Sequence, residues 1–162
     1  MEIQRTLSVL VKNRPRVLAR VAGLFARRGF NIDSLAVSTT EDEAVSRMTI
    51  ATTADEPTLK QIAKQVSKLH DVVRVIDHTE HKVVERELCL VKVCVERTQR
   101  PELVSLCDVF RGDIVDIGNG SMMIQLIGDS DKIDAFIELM DEYEIVEMMR
   151  SGKIVLDRGA QG

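Results

Sequence analysis

Apolar and polar residues alternate over residues 3–11, the first patterned stretch of the chain. This period of two predicts a half-buried β-strand. From about residue 16 to residue 28 the apolar positions instead recur every three or four residues, which predicts a helix that buries one stripe. Gly29 follows as the expected helix stop. The pattern therefore predicts a strand, a short turn and an amphipathic helix in direct succession.

The same two periods continue to the end of the chain. After the first helix, the pattern predicts strands over residues 31–40, 45–53 and 72–77, and a second helix over residues 56–69. This order, β-α-β-β-α-β, is the ferredoxin-like arrangement. The second half repeats it, with strands over residues 88–95, 114–117, 122–127 and 145–149 and helices over residues 100–111 and 129–141. We infer two similar modules.

The fold class predicted is α+β, with two tandem ferredoxin-like modules that each place helices on one face of an antiparallel sheet. The first domain is expected over residues 1–78, a polar linker over 79–86 and the second domain over 87–162, with one more short strand at 154–156. Each module is small and marginally stable alone. Pairing through the open sheet face or an edge strand is therefore expected, and with it an oligomer.

Composition and charge narrow the class of function. The chain has 162 residues, of which 44% are hydrophobic, and a net charge of −4, which disfavours a nucleic-acid binder. The sequence has no apolar run of transmembrane length and no signal-peptide core near its start. We therefore expect a cytoplasmic protein that binds neither nucleic acid nor a membrane.

Residues suited to catalysis or metal binding are sparse. The three cysteines, Cys89, Cys94 and Cys107, are an odd number, which argues against a closed disulfide framework. His78 and His81 are close in sequence, but no further His or Cys follows at ligand spacing, so no metal site is predicted. The sequence shows no nucleophile–base pair and no glycine-rich phosphate loop. No catalytic residue is therefore predicted.

The turn between the first strand and the first helix, residues 12–18, is the best candidate for a binding site. The first turn of a helix has backbone N–H groups without partners, and the helix dipole adds positive charge, so a small carboxylate fits there. Asn13 is expected to cap the helix and Pro15 to lie in its first turn. Asn31 opens the second strand, and its amide suits the ammonium group of a free amino acid. The alternative is a capped connection that binds nothing.

Motifs along the whole chain resemble one family. They are Leu7-Ser8-Val9-Leu10-Val11 with Asn13, Pro15, Val17 and Leu18, then residues 23–35, Ser46-Arg47-Met48-Thr49-Ile50, residues 84–93, residues 110–117 and Arg150-Ser151-Gly152. The first half resembles an ACT domain. The chain as a whole resembles the small regulatory subunits of acetolactate synthase (acetohydroxyacid synthase). The motifs of the second half are the more specific ones.

This resemblance implies a non-catalytic subunit that forms a homodimer through its ACT domain and has no cofactor of its own. Its partner would be the catalytic subunit, which uses thiamine diphosphate, Mg²⁺ and usually FAD. That enzyme condenses two pyruvates, or pyruvate with 2-oxobutyrate, on the route to valine, leucine and isoleucine. The small subunit raises the activity and transmits feedback inhibition by valine.

In the family, valine lies at the ACT dimer interface, between the strand–helix loop of one chain and the second strand of the other. Carried over, the effector-binding residues are Asn13, Pro15, Arg16, Val17 and Leu18 on one side, and Asn31, Ile32 and Ser38 on the other. The family loop usually has Gly where this chain has Arg16, and Gly permits close approach of the backbone to a ligand. Arg16 either crowds the site, turns to solvent or adds a charge-assisted bond to the carboxylate. We therefore expect weakened or altered valine binding.

The resemblance leaves the docking surface open. We expect the second domain to contact the catalytic subunit, with the tail, Arg111, Asp113 and Arg150 as candidates, and with ordinary surface charge and helix capping as the alternative. Two other functions also stay open. One is a free-standing ACT-domain amino-acid sensor that regulates another protein. The other is an enzyme in its own right, against which the missing nucleophile, base and metal cluster argue.

Overall fold

The computed structural model describes residues 1–160, which contain nine strands and four helices. In chain order these are β1 (Ile3–Lys12), α1 (Val17–Arg27), β2 (Ser34–Thr39), β3 (Val45–Ala54), α2 (Glu56–Ser67), β4 (Val72–Asp77), β5 (Val83–Cys94), α3 (Arg100–Val109), β6 (Asp113–Gly118), β7 (Ser121–Gly128), α4 (Ser130–Met140), β8 (Glu144–Arg150) and β9 (Ile154–Asp157). The β-α-β-β-α-β order occurs twice, which confirms the predicted fold class.

The chain divides into two compact units. The first unit contains Met1–Val84 and the chain from Lys153 onward, and the second unit contains Glu85–Gly152. The sequence-based boundaries differ from this division in two places. Strand β5 begins inside the predicted linker, and the tail groups with the first unit instead of the second. The reason lies in the tail's hydrogen bonds: Arg158 N–H donates to the Lys82 carbonyl at 2.7 Å, and Lys153 N–H donates to Ser34 Oγ at 3.2 Å.

The first unit is a four-stranded antiparallel sheet in the order β2-β3-β1-β4. Strand β1 pairs along its whole length with β3, so that Leu7 lies opposite Ile50 and Lys12 opposite Val45. Alternate residues of these central strands and the apolar stripes of α1 and α2 share one core cluster, because period-two and period-3.6 patterns both place apolar groups on one face. That cluster includes Leu7, Val9, Val21, Phe25, Met48, Ile50, Leu59, Ile62 and Val66.

The second unit has strands in the order β6-β7-β5-β8, and β9 pairs with β5, whose first two residues belong to the first unit. Its core cluster includes Cys89, Val91, Leu103, Cys107, Ile124, Ile133 and Phe136. The rings of Phe110 and Phe136 meet edge to face, with centroids 5.3 Å apart. This core is therefore mainly aliphatic, with Phe110 and Phe136 as an aromatic pair and the buried Tyr143 as a third aromatic residue.

Helices α1 and α3 end differently, although Arg-Gly follows both. After α1, Gly29 takes the left-handed conformation that ends many helices (φ 72°). After α3 the left-handed residue is Arg111 (φ 56°), one position earlier in the motif. Gly112 is needed for a different reason, because a Cβ there would lie 3.2 Å from the Gln125 carbonyl oxygen. The same Arg-Gly dipeptide therefore ends the two helices with different residues in the left-handed conformation.

Arg150 belongs to an ion-pair cluster within the second unit. Its Nε and Nη2 donate to the two carboxylate oxygens of Glu87 at 2.8 and 2.9 Å, and its Nη1 donates to Asp134 Oδ1 at 2.6 Å. The Glu87 side chain is 4% exposed, whereas Asp134 is open to solvent. The hydrogen bonds to Glu87, together with those to Asp134, raise the pKa of Arg150. Arg150 therefore has a structural role, while Arg111 and Asp113 are exposed.

Candidate functional site

The connection between β1 and α1 is fastened to the turn between β2 and β3. Asn13 N–H donates to the Ala44 carbonyl at 2.8 Å, and the Asn13 side-chain amide donates to the Glu43 carbonyl at 3.0 Å. The prediction that Asn13 caps α1 is therefore wrong, because its side chain is used to hold the neighbouring turn. This anchoring positions the start of α1 at the end of the sheet where β3 begins.

Arg16 is the residue that immediately precedes α1, and its backbone is left-handed, with φ 71° and ψ −5°. Residues with a Cβ rarely adopt this conformation, whereas glycine adopts it freely. A left-handed backbone at this position gives a physical reason why the family loop would have glycine where this chain has Arg16. Pro15 lies before Arg16, outside the first turn, so its predicted placement in that turn is wrong. The Arg16 side chain is exposed and makes no hydrogen bond or ion pair with any described residue.

The N-terminus of α1 has no side-chain cap. By contrast, Asp55 and Asp129 accept hydrogen bonds from first-turn amides at the starts of α2 and α4. The amides of Val17 and Leu18 belong to the first turn of α1, where no intrahelical acceptor exists. The Val17 side chain is buried in the core, and the Leu18 side chain is 45% exposed. The first-turn amides of α1 therefore have no side-chain acceptor among the described residues.

Several charged side chains lie near the same helix start. Arg20 Nη1 donates to Asp71 Oδ2 at 2.6 Å, and Arg14 Nη1 lies 3.9 Å from the other oxygen of that carboxylate. The Asp71 side chain is 8% exposed, and its backbone carbonyl accepts from Lys12 N–H at 2.8 Å. The Asp71 carboxylate thus faces two guanidinium groups, while Arg16 lies at the helix start without an ion pair to a described residue. The turn that Asn13 contacts contains Glu41, Asp42 and Glu43, so charges of both signs lie near this loop.

Asn31 and Ile32 lie at the other end of the sheet. The Asn31 carbonyl accepts from Thr52 Oγ1 at 2.6 Å, and its side-chain amide donates to Asp33 Oδ1 at 3.0 Å. Thr52 is eight residues beyond Ala44, which contacts the β1–α1 connection. At about 3.3 Å per residue, these two places are about 26 Å apart along β3. Within one chain, Asn31 and Ile32 are therefore not brought to the loop.

Ser38 lies nearer to the β1–α1 connection. It pairs with Arg47 across β2 and β3, and Arg47 pairs in turn with Leu10 near the end of β1. Ser38 is exposed and points to the same sheet face as both partners, because directly paired residues share a face. The chain thus separates the predicted residues into two groups, with Asn13, Pro15, Arg16, Val17, Leu18 and Ser38 at one end of the sheet and Asn31 and Ile32 at the other.

A second polar cluster was missed by the sequence analysis. Asp157 of β9 accepts from His78 Nδ1 at 2.7 Å and lies 3.0 Å from His81 Nδ1, and His78 Nε2 lies 2.6 Å from Ser8 Oγ. Burial alone raises the pKa of Asp157, but the hydrogen bonds from the two histidines outweigh it and lower that pKa. The sequence predicts no metal site here because no third ligand follows His78 and His81 at short spacing. In the structure the third group is Asp157, which lies 76 residues after His81.

Comparison with known proteins decides the family. Residues 7–74 match the family described as the AHAS small subunit-like ACT domain, and residues 86–159 match the family described as the small subunit of acetolactate synthase. The chain belongs to the acetolactate synthase small-subunit family. Family membership implies a regulatory role and a catalytic subunit as partner. Among the described residues, no helix is long and apolar enough to cross a membrane.

Individual members of the acetolactate synthase small-subunit family agree along almost the full length. A probable small subunit from Archaeoglobus fulgidus is 49% identical over 157 residues, which cover 97% of this chain and 98% of that protein. The small subunit from Haemophilus influenzae is 47% identical over 158 residues, or 97% of either chain. The crystal structure of the small subunit from Thermotoga maritima superposes with a TM-score of 0.88 at 37% identity, covering 97% of this chain and 98% of that one. These matches confirm the predicted family and fold.

Proposed function

We propose that this chain is the non-catalytic regulatory subunit of a cytoplasmic acetolactate synthase. It activates the thiamine-diphosphate-dependent catalytic subunit and transmits feedback inhibition by valine in branched-chain amino-acid biosynthesis. Thiamine diphosphate, Mg²⁺ and FAD belong to the catalytic subunit in this proposal. The observation that carries it is the uncapped start of α1, with Arg16 directly before it, in a chain of the small-subunit family.

The carboxylate and the ammonium group of valine suit the two groups of residues, the start of α1 and Asn31. Its carboxylate accepts hydrogen bonds from the first-turn amides at Val17 and Leu18, where the helix dipole and Arg16 add positive charge. Its ammonium group needs an oxygen acceptor, which the side-chain amide of Asn31 offers, with Ile32 beside it as an apolar contact. Each group of residues thus recognises one end of the amino acid.

The two groups of residues meet only if two copies of the chain associate. A single amino acid spans a few ångströms, whereas the loop and Asn31 are separated by about 26 Å along β3 within one chain. A two-fold axis brings the loop of one chain to Asn31 of the other, and by symmetry creates two equivalent sites. The proposal therefore includes a homodimer through the first unit.

Regulation follows if the two-fold contact has two arrangements with different valine affinity. Valine that bridges two first units favours one arrangement. We place the contact with the catalytic subunit in the second unit, where Arg111 and Asp113 are exposed and Arg150 is used internally. In the valine-free arrangement the second unit holds the catalytic subunit in its active form.

The test mixes the purified chain with the acetolactate synthase catalytic subunit from the same source and follows acetolactate formation during a valine titration. We expect stimulation that valine reverses, and Arg16→Gly is expected to shift the valine midpoint relative to wild type. Stimulation without a valine response would reject the effector site but keep the partner. Absence of stimulation by a folded chain would reject the regulatory-subunit proposal and favour a free-standing ACT sensor.

A complementation experiment tests the shared site. Leu18→Glu places a negative charge at the helix start on an exposed side chain, and Asn31→Ala removes the amide at the other group. Each variant alone is expected to lose the valine response. A mixed dimer contains one intact site, formed by the loop of the Asn31→Ala chain and Asn31 of the Leu18→Glu chain. Mixing the two variants is therefore expected to restore part of the valine response. No recovery from mixed dimers would contradict a site shared between two chains.

A further inference from the structure

We propose that His78, His81 and Asp157 form a binding site for a divalent transition-metal ion, with Zn²⁺ as the probe of choice. Their ligand atoms, one from each residue, all lie within 4.8 Å of one another. His78 and His81 follow β4, and Asp157 is the last residue of β9. The site is separate from the effector residues and would join the tail of the chain to the end of β4.

The distances suit a small ion after a modest expansion. The Nδ1 atoms of His78 and His81 lie 2.7 and 3.0 Å from the nearer oxygens of Asp157. Around a tetrahedral Zn²⁺ with bonds of about 2.0–2.1 Å, neighbouring ligand atoms are roughly 3.3 Å apart. The two nitrogen–oxygen distances therefore have to grow by only a few tenths of an ångström, and the histidine ligand atoms, which lie within 4.8 Å of each other, have to reach a similar separation. His81, whose side chain is 48% exposed, has room to do so.

The donor set selects the class of ion. Two imidazole nitrogens and one carboxylate oxygen are the ligands that Zn²⁺ and neighbouring divalent metals accept, whereas Ca²⁺ and Mg²⁺ prefer oxygen donors throughout. Neutral histidines with an ionised Asp157 present one negative charge to the ion. Three protein ligands leave a fourth position, which water can fill from the exposed side of His81.

A supporting contact orients the buried ligand. Metal-bound histidines usually donate their second ring N–H to an oxygen acceptor, which fixes the ring and its tautomer. His78 has this partner in place, because its Nε2 lies 2.6 Å from the Oγ of the fully buried Ser8. With the metal on Nδ1, the ring proton resides on Nε2 and is donated to Ser8. This contact distinguishes the site from two histidines that meet a carboxylate at the surface.

The test uses the full chain, freed of any histidine tag and dialysed against a chelator. Zn²⁺ binding is measured by competition with a chromophoric chelator, and Co²⁺ replaces Zn²⁺ for absorption spectroscopy. We expect one equivalent per chain, lost in His81→Ala and Asp157→Asn. Ser8→Ala is expected to retain the site with affinity reduced by about 10–100-fold. Zn²⁺ is also expected to raise the melting temperature of the wild type, because it binds only the folded chain.

His70→Ala is the matched control. His70 is the third histidine of the sequence, exposed and outside the cluster, and its removal is expected to leave one equivalent of Zn²⁺ bound. Since His81 is also exposed, His81→Ala is expected to fold, which circular dichroism checks. Equal Zn²⁺ binding by wild type and His81→Ala would overturn the proposal. So would a Co²⁺ spectrum with a sulfur charge-transfer band that disappears in Cys94→Ser.

Discussion

Replacing Arg150 by Met is expected to destabilise the second unit strongly. The change removes three charge-assisted hydrogen bonds and leaves the Glu87 carboxylate, 4% exposed, without its cation. Breaking a buried ion pair on one side costs about 3–5 kcal/mol. Arg150 is itself 30% exposed, so water reaches part of the site and the lower end, about 3 kcal/mol, is expected. This loss is a large fraction of the free energy of unfolding of a typical domain, which is ~5–15 kcal/mol.

The chain offers a selective probe for this unit. It has no Trp and a single Tyr, and Tyr143 lies in the second unit with 6% exposure. Tyrosine fluorescence during a urea titration therefore reports the unfolding of this unit. A loss of about 3 kcal/mol is expected to lower its melting temperature by roughly 12–24 °C, at about 4–8 °C per kcal/mol for a domain of this size.

Lys92→Met is the matched control, because this substitution also removes an ion pair on the sheet of the second unit. Its partner Glu147 is 74% exposed at 3.2 Å, so the expected cost is at most about 1 kcal/mol. The double variant Glu87→Leu with Arg150→Met is expected to recover most of the lost stability, since no buried charge remains unpaired. If Arg150→Met and Lys92→Met shifted the urea midpoint equally, the buried-pair reasoning would be refuted.

Two further predictions concern backbone strain and thiol reactivity. Arg16→Gly removes the strain of a left-handed residue with a Cβ, which stabilises the folded chain by about 1–2 kcal/mol. It also raises the conformational entropy of the unfolded chain, which costs about 0.4–1 kcal/mol, so the free energy of unfolding is expected to rise by about 0.5–1 kcal/mol. Arg16→Ala keeps the Cβ and should gain nothing; equal urea midpoints for the two variants would contradict the strain argument. Burial raises the pKa of Cys107 to about 11 and also raises the pKa of Cys89, whereas Cys94 is exposed. With Ellman's reagent at mildly alkaline pH, one fast thiol is therefore expected in the folded chain and three after denaturation, and a fast reaction in Cys94→Ser would refute this.

The order of elements could be predicted because local patterns determine it. Alternation predicted β1, and the observed strand extends the prediction by one residue, to Lys12. The predicted strands over 114–117 and 122–127 correspond to β6 and β7, which Asn119 and Gly120 connect. Helix ends were less predictable, because several polar residues in a row compete for the same role. Asn13 is a favoured capping residue, yet the Glu43 carbonyl recruits its side chain and Arg16 precedes the helix instead.

The division between the two units could not be predicted from local pattern. The tail contains a short apolar strand that suits either unit equally well by periodicity. Its place is decided by long-range contacts, in which Lys153 Nζ meets Gln4 Oε1 at 2.5 Å and Arg158 meets Lys82. Such contacts join residues more than 70 positions apart, and no spacing rule within either module encodes them.

The same limit separates the two candidate sites. The loop proposed to bind the effector is local, because one strand end, one turn and one helix start form it, so the local pattern alone singles it out. The histidine cluster depends on where the tail returns, because Asp157 completes it from β9. A search for ligands at short spacing therefore finds His78 and His81 but misses Asp157. Sites closed by a returning tail are expected to escape any method that examines local motifs alone, and here the fold itself supplies the missing group.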